Sequence, residues 1–436
     1  MVMGNYVITG KQKLKGTLTT NSSKNAAVVL LNAALLNRGR TILHDVPKIE
    51  EVNRIIEVLA SIGVSVKWLG KNSLEICPPK KINLAGLNYE SAVKTRSVLF
   101  LLATMIGWQK KFLVPQPGGC RLGKRTVKPH LYALENFGVQ ITTQAKYYQV
   151  TANHLRRGGE IVLYESGDTV TENALMAAAQ IPGKTVIKLA SANYQVCDLC
   201  YFLQKLGVKI KGIGTTTLEI EGRRNINQTV SYHISEDPIE SMLFIAIAAT
   251  TNSSLEIKRC PIEFLELELL KLEKMGFNYK ILRRYLAKNG KTRLVDLKTY
   301  PSHLIALEEK IYARPFPGLN IDNLPFFVPI ATQAKGRTLI FDWVYENRAI
   351  YYTELNRLGA NVELADPHRV FVTGPTRLQS HEIMCPPALR PSTIILVAML
   401  AANGKSILRN IYSIERGFED LCGRLNKVGA KIAKID

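Results

Sequence analysis

The sequence predicts an α/β protein made of six copies of one helix, strand, helix, strand unit, divided three and three, and two observations carry that prediction. The first is a segment in which an apolar helix face runs into a glycine and then a β-prone stretch: IIEVLASIGVSV, LYALENFGVQI, YFLQKLGVKI, LLKLEKMGFNY, YTELNRLGANV and LCGRLNKVGAKI. Its glycines, Gly63, Gly138, Gly207, Gly276, Gly359 and Gly429, lie 75, 69, 69, 83 and 70 residues apart. The second is a small, apolar helix upstream of each copy, ended by a polar turn and a strand.

Taken in order, the upstream helices are AAVVLLNAALLNRGRTIL, the looser RSVLFLLATMIGWQKKFL, ENALMAAAQIPGKTVI, IESMLFIAIAATTNSSLEI, LPFFVPIATQAKGRTLI and RPSTIILVAMLAANGKSIL. Helices that are apolar nearly all round belong in a core, whereas leucines three or four apart mark one buried face of an outer helix. The glycine after each outer helix suits a left-handed cap that stops it before the next strand. The polar break at residues 231–241, SYHISEDPIES, separates the third unit from the fourth and is the expected domain boundary. The predicted first domain is 21–230, and the second is 1–20 with 231–436. A ligand site between the halves is the default expectation.

At 436 residues and 46% hydrophobic content the chain can bury two or three cores. No apolar run is long enough for a membrane span, and MVMGNYVITGKQKLKG lacks the apolar stretch of a secretory signal, so a cytoplasmic location is expected. Seven scattered cysteines do not form a disulfide framework, and reduced thiols are expected. A net charge of +21 predicts a field that attracts anions. The basic residues are spread along the chain without a basic helix, zinc finger or ribonucleoprotein-type motif, so small phosphorylated substrates explain the charge as well as nucleic acid does.

Catalytic groups are expected in the loops that flank the units. Cys120 follows two glycines and stands among Arg121, Lys124 and Arg125, a setting that favours thiolate, although a turn cysteine that only packs has the same sequence. Lys24 and Asn25 open a buried helix, with Ser22 or Ser23 as the cap; a lysine there opposes the helix dipole unless an anion lies between them. Arg96, Arg348, Arg390 and Arg416 each sit where a loop meets a helix. Singly each reads as a surface arginine or an ion pair; together they can converge on phosphate or carboxylate. Asp322, between two prolines and an apolar helix, caps that helix or acts as a base if buried. Cys197 and Cys200 form a C-x-x-C without a second pair, which packing explains better than zinc. No dinucleotide or P-loop signature calls for a cofactor, and no histidine spacing calls for a metal.

Read in order, K-N-A-A at residues 24–27, P-G-G-C ending at Cys120 with Arg125 five residues on, T-E-N at 171–173, P-x-P-G-x-x-x-D ending at Asp322, E-N-R ending at Arg348 and I-x-R-G-F-E around Arg416 resemble the enolpyruvyl transferases. The cysteine loop and E-N-R favour the branch that acts on UDP-N-acetylglucosamine. The resemblance implies an EPSP synthase-like fold: two inside-out α/β barrel-like domains, each of three βαβαββ-type units around buried helices, closing over the substrates. It implies transfer of the enolpyruvyl group of phosphoenolpyruvate to a hydroxyl of a nucleotide sugar at the start of peptidoglycan synthesis, by a monomer, with no cofactor, metal, membrane or nucleic acid. It also implies residue roles. Lys24, Arg125 and Arg416 would hold phosphoenolpyruvate, supported by Arg96, Arg348 and Arg390. Cys120 would donate a proton to the methylene carbon and Asp322 would accept the acceptor's hydroxyl proton, while Asn25 and Leu389 would contact substrate.

The chain departs from that pattern at three places. The acid of the family's D-L-R segment is replaced by Ala388, before Leu389 and Arg390. Glu165 and Asp168 stand before T-E-N where the family offers lysine and serine to a diphosphate, and Thr126, Lys128 and Pro129 depart from the usual uracil-binding stretch. These departures keep open an enolpyruvyl transferase with another acceptor, and a non-catalytic relative.

Overall fold

A computed structural model describes residues 4–118 and 126–435. Among them, no helix is long and apolar enough to cross a membrane.

The third unit shows the pattern in full. Strand Gly159–Val162 leads into the buried helix Asp168–Gln180 and then strand Gly183–Lys188, which pairs parallel to it with Thr185 opposite Gly159. The outer helix Tyr194–Lys205 and strands Lys209–Lys211 and Thr217–Gly222 follow, both pairings antiparallel. This is a βαβαββ unit with a four-stranded sheet. Five sheets have four strands; that of the second unit, built on Lys111–Pro115, has three among the described residues.

All six repeat glycines take the left-handed conformation, with φ between +79° and +98°. They are not equally crowded. A Cβ on Gly138 would lie 2.2 Å from the His154 carbonyl oxygen, whereas one on Gly359 would meet nothing nearer than 3.8 Å. Gly359→Ala is therefore expected to lose about 1–2 kcal/mol, the cost of a left-handed residue with a Cβ. Gly138→Ala should lose clearly more, because backbone must also move; urea denaturation of the two variants checks the difference.

Two of the buried helices are weaker than the repeat suggests. The fifth buried helix is a 3-10 turn, Leu324–Phe326, leading into the short Phe327–Ala331, where Pro325 and Pro329 remove backbone donors. The looser second one alternates between 3-10 and α geometry across Arg96–Phe100, Leu101–Thr104 and Met105–Gly107. The outer helix Ala349–Leu358 is also 3-10.

The chain crosses between its halves twice. Strand Lys15–Thr19 lies parallel to Ser254–Pro261 in the fourth sheet, and Val230–His233 lies parallel to Thr41–His44 in the first. Each leader strand thus belongs to the sheet of the other crossing. The connecting segments run side by side, Ser23 N donating to Ser235 O at 2.7 Å and Asp237 N to Asn21 O at 2.9 Å. Strand Asn5–Thr9 completes the sixth sheet, antiparallel to both Lys405–Arg409 and Lys431–Ile435.

The buried side chains form two clusters. One gathers residues from Ala26 to Ile234, and the other joins Tyr6 to Leu18, together with Tyr194 and Cys197, to the chain beyond Ile239. Helix Pro238–Thr250, with all 13 residues buried, forms the middle of the second, and Asp168–Gln180 lies in the first. The C-x-x-C pair is core: Cys197 is 5% exposed and Cys200 fully buried, and burial pushes the Cys197 thiol up to about 12.

Candidate active site

A cleft of about 880 Å³ is lined from both halves of the chain. Lys24, Asn25, Arg96, Arg348, Leu389, Arg390, Arg416 and Asp322 all line it. Cys120 and Arg125 lie outside the described residues; the chain on either side, Gly118 and Thr126, is at the cleft, Gly118 lining it and Thr126 O accepting from Arg96 Nη2 at 3.1 Å.

On the first half, Ser23 caps helix Lys24–Ala33 by accepting from Ala26 N at 3.1 Å, which projects Lys24 and Asn25 from the helix start. Lys24 Nζ pairs with Glu51 at 3.0 Å. Burial pushes the Glu51 carboxyl up, but the Lys24 ammonium beside it and the more remote Arg416 hold it below the usual range. Asn25 Nδ2 donates to the Tyr194 hydroxyl at 2.9 Å.

On the second half, Asp322 does not cap a helix; its neighbour Asn323 is the residue before Leu324–Phe326, and no side chain caps it. Asp322 instead sits between two guanidinium groups, Arg390 Nη2 at 3.3 Å and Arg348 Nη1 at 3.9 Å. Burial raises its carboxyl, but the two arginines outweigh this and hold it below the usual carboxylate range. Arg390 is the second residue of helix Leu389–Ala401 and only 8% exposed. Arg348 is 1% exposed, and its Nε and Nη2 are occupied by Asp342 at 2.6 and 2.7 Å, so only Nη1 faces Asp322. Arg416 follows helix Tyr412–Glu415, and its buried Nε has no hydrogen-bond partner among the described residues.

Ala388 is the N-cap of helix Leu389–Ala401 and offers the helix no side-chain acceptor. An aspartate there would meet free backbone donors and nearby guanidinium groups. Ala388→Asp is expected to raise stability by about 1 kcal/mol, a usual N-cap contribution, as a higher urea midpoint would show.

The cleft also carries further carboxylates. Glu165 and Asp168 both line it, at the start of helix Asp168–Gln180. Asp168 is tied inward, accepting from Ser191 Oγ at 2.5 Å and Asn193 Nδ2 at 3.0 Å, and burial pushes its carboxyl up. Several lining residues were not singled out from the sequence: Glu51, His130, Tyr194 and Gln195. Glu51 reads locally as an ordinary acid in a helix first turn, a position the dipole favours in any case. His130 is 2% exposed beside Asn173, at 2.9 Å, and its spacing to the other histidines carries no signal.

Placed together, the described candidates give one cavity with a lysine and four arginines around a carboxylate. Comparison with known proteins identifies the family. The family described as EPSP synthase (3-phosphoshikimate 1-carboxyvinyltransferase) matches residues 8–425. The chain is 33% identical to the UDP-N-acetylglucosamine 1-carboxyvinyltransferase of Borreliella burgdorferi over 435 residues, 99% of each chain. It is also 33% identical to that of Bradyrhizobium diazoefficiens over 430 residues, 99% of this chain and 98% of the other. In fold it is similar to the enolpyruvyl transferase NikO from Streptomyces tendae, with a TM-score of 0.84 at 22% identity across 99% of this chain and 98% of that one. The EPSP synthase of Acinetobacter baumannii gives 0.79 at 17% identity, covering 99% of this chain and all of the other. From its fold, and from likeness along its whole length, the chain belongs to the enolpyruvyl (1-carboxyvinyl) transferase family.

Proposed function

We propose that the cleft transfers the enolpyruvyl group of phosphoenolpyruvate to a hydroxyl of UDP-N-acetylglucosamine and releases phosphate. The observation that carries this reading is Asp322, held ionised between Arg390 and Arg348 in the same cleft as Lys24 and Arg416. An ionised carboxylate amid cations suits a reaction that removes a hydroxyl proton while handling a multiply anionic substrate.

In this reading Lys24 and Arg416, with Arg125, hold the phosphate and carboxylate of phosphoenolpyruvate, and the buried Nε of Arg416, unpartnered among the described residues, supplies a ready donor. Arg96, Arg348 and Arg390 support that positive field. Asp322 takes the proton of the acceptor hydroxyl as its oxygen bonds to the central carbon, and Cys120 gives a proton to the methylene carbon. The resulting tetrahedral intermediate then loses a proton from the methyl carbon and phosphate from the central carbon, which leaves the enol ether. Asn25 and Leu389 contact substrate. The halves serve as two domains, 21–230 and 1–20 with 231–436, closing over the cleft. The two cores support that division except at Tyr194 and Cys197, which pack with the second, and the pairing of Val230–His233 with Thr41–His44 supports extending the first domain to His233.

A second reading, the same transfer to another acceptor, is favoured by Glu165 and Asp168 in the cleft lining, since carboxylates repel a diphosphate. Phosphate release from phosphoenolpyruvate, measured with UDP-N-acetylglucosamine beside a panel of other nucleotides, separates the two. Release with the nucleotide sugar supports the first; release only with another acceptor supports the second. No release with any acceptor would count against both.

A further inference from the structure

A second cavity, of about 440 Å³, lies against the crossover, with Thr19 and Glu236 in its wall, and shares no lining residue with the cleft. Its volume falls within the range of about 300–1,000 Å³ usual for small-molecule sites. Two breaks in sheet register shape it, one between Ile257 and Cys260 and one between Ile281 and Arg283. Bulges of this kind re-aim side chains and recur next to binding sites.

The first break puts Arg259 at φ +62°, a conformation that a residue with a Cβ keeps only where its surroundings hold it. Arg259 N donates to Asp296 Oδ1 at 3.0 Å, and its Nε donates to the buried Glu236 at 2.9 Å. The Tyr285 hydroxyl donates to the same Asp296 oxygen at 2.7 Å. Both acids of the wall thus have an oxygen engaged by groups of the wall itself, although Glu236 Oε2 is buried without a partner among the described residues.

Three further cations line the cavity. Lys258 pairs with Glu256, at 3.3 Å, and Lys288 with Asp45, at 3.1 Å; Lys288 is exposed and Lys258 half-exposed. Arg283 lies over the Tyr285 ring, 5.0 Å from its centroid. Exposed pairs of this sort are weak and give way to a better anion, and an arginine beside lysines offers a fork that matches phosphate. Tyr285 and Leu286 add an aromatic and an apolar surface.

We propose that this cavity binds a phosphorylated small molecule, its phosphates on Lys258, Arg283 and Lys288 and its organic part against Tyr285 and Leu286. The test is calorimetric titration of the full chain with adenosine diphosphate and with inorganic pyrophosphate. Three proteins are compared: wild type, Arg416→Ala, which alters the cleft alone, and the double variant Lys258→Ala/Arg283→Ala. Saturable binding is expected in wild type and in Arg416→Ala, weakened at least tenfold in the double variant. Because Lys258 and Arg283 are surface side chains, the double variant should keep its unfolding midpoint. The charge-conserving Lys258→Arg/Arg283→Lys should regain most of the affinity. Tighter binding of adenosine diphosphate than of pyrophosphate supports a role for the organic part, and equal binding supports recognition by the phosphates alone. Absence of saturable binding to wild type, or affinity lost in Arg416→Ala and kept in the double variant, would overturn the proposal.

Discussion

Asp322→Asn is expected to lower kcat by about 10² to 10⁴, the usual contribution of a positioned proton acceptor, with a much smaller change in KM for phosphoenolpyruvate. The side chain keeps its shape and loses its charge, so substrate still fits while the hydroxyl proton has no carboxylate to receive it. Loss of less than tenfold would place proton acceptance elsewhere. The pH profile gives a second measurement. A base works when ionised, that is, above its pKa, and Arg390 and Arg348 hold the Asp322 carboxyl below its ordinary value. The acid limb of kcat/KM should therefore lie below the usual aspartate pKa of about 3.9. Arg390→Gln removes the nearer guanidinium and leaves burial to dominate, so the limb should move to higher pH. The same shift has a stability counterpart: a depressed carboxyl contributes stability present above its unfolded value and lost as pH falls through its folded value.

The architecture was legible because its signals are periodic and local. A glycine that must adopt positive φ after a leucine-faced helix leaves the same trace each time, and all six did so. The crossover was only half legible. The polar break at 231–241 is visible, but that Lys15–Thr19 and Val230–His233 each join the sheet of the other crossing depends on pairings across more than 180 residues. No local pattern records such pairings.

The site divides in the same way. Lys24, Arg390 and Asp322 stand at helix starts or in proline-rich turns, where an unusual residue is noticeable. Glu51 and Tyr194 do not: one sits where acids are common and the other where aromatic residues pack, and their meaning lies in partners 27 and 169 positions away. Arg348 marks the limit most clearly. Its E-N-R setting points to substrate, but most of its guanidinium binds Asp342, a residue with no motif around it.

That pair sets the largest expected loss of stability. Asp342 is fully buried and accepts from Arg348 Nε at 2.6 Å, from Arg348 Nη2 at 2.7 Å and from the Tyr352 hydroxyl at 2.6 Å. Asp342→Ala strands a guanidinium that is 1% exposed, so a loss of about 3–5 kcal/mol is expected. Arg348→Met strands the carboxylate instead and should lose a similar amount. The double variant Asp342→Leu/Arg348→Met removes both charges and should recover most of the loss, since apolar groups of similar volume often replace a buried pair without penalty. Urea denaturation of the four proteins measures the coupling; single losses under about 1 kcal/mol that simply add would mean the pair is no more than a surface contact. The recovered double variant then isolates the second role of Arg348. Its Nη1, 3.9 Å from Asp322, is gone while the fold remains, so the acid limb of kcat/KM should rise as it does in Arg390→Gln. A stable double variant with an unmoved limb would assign Arg348 to the scaffold alone and leave Arg390 as the cation that keeps Asp322 ionised.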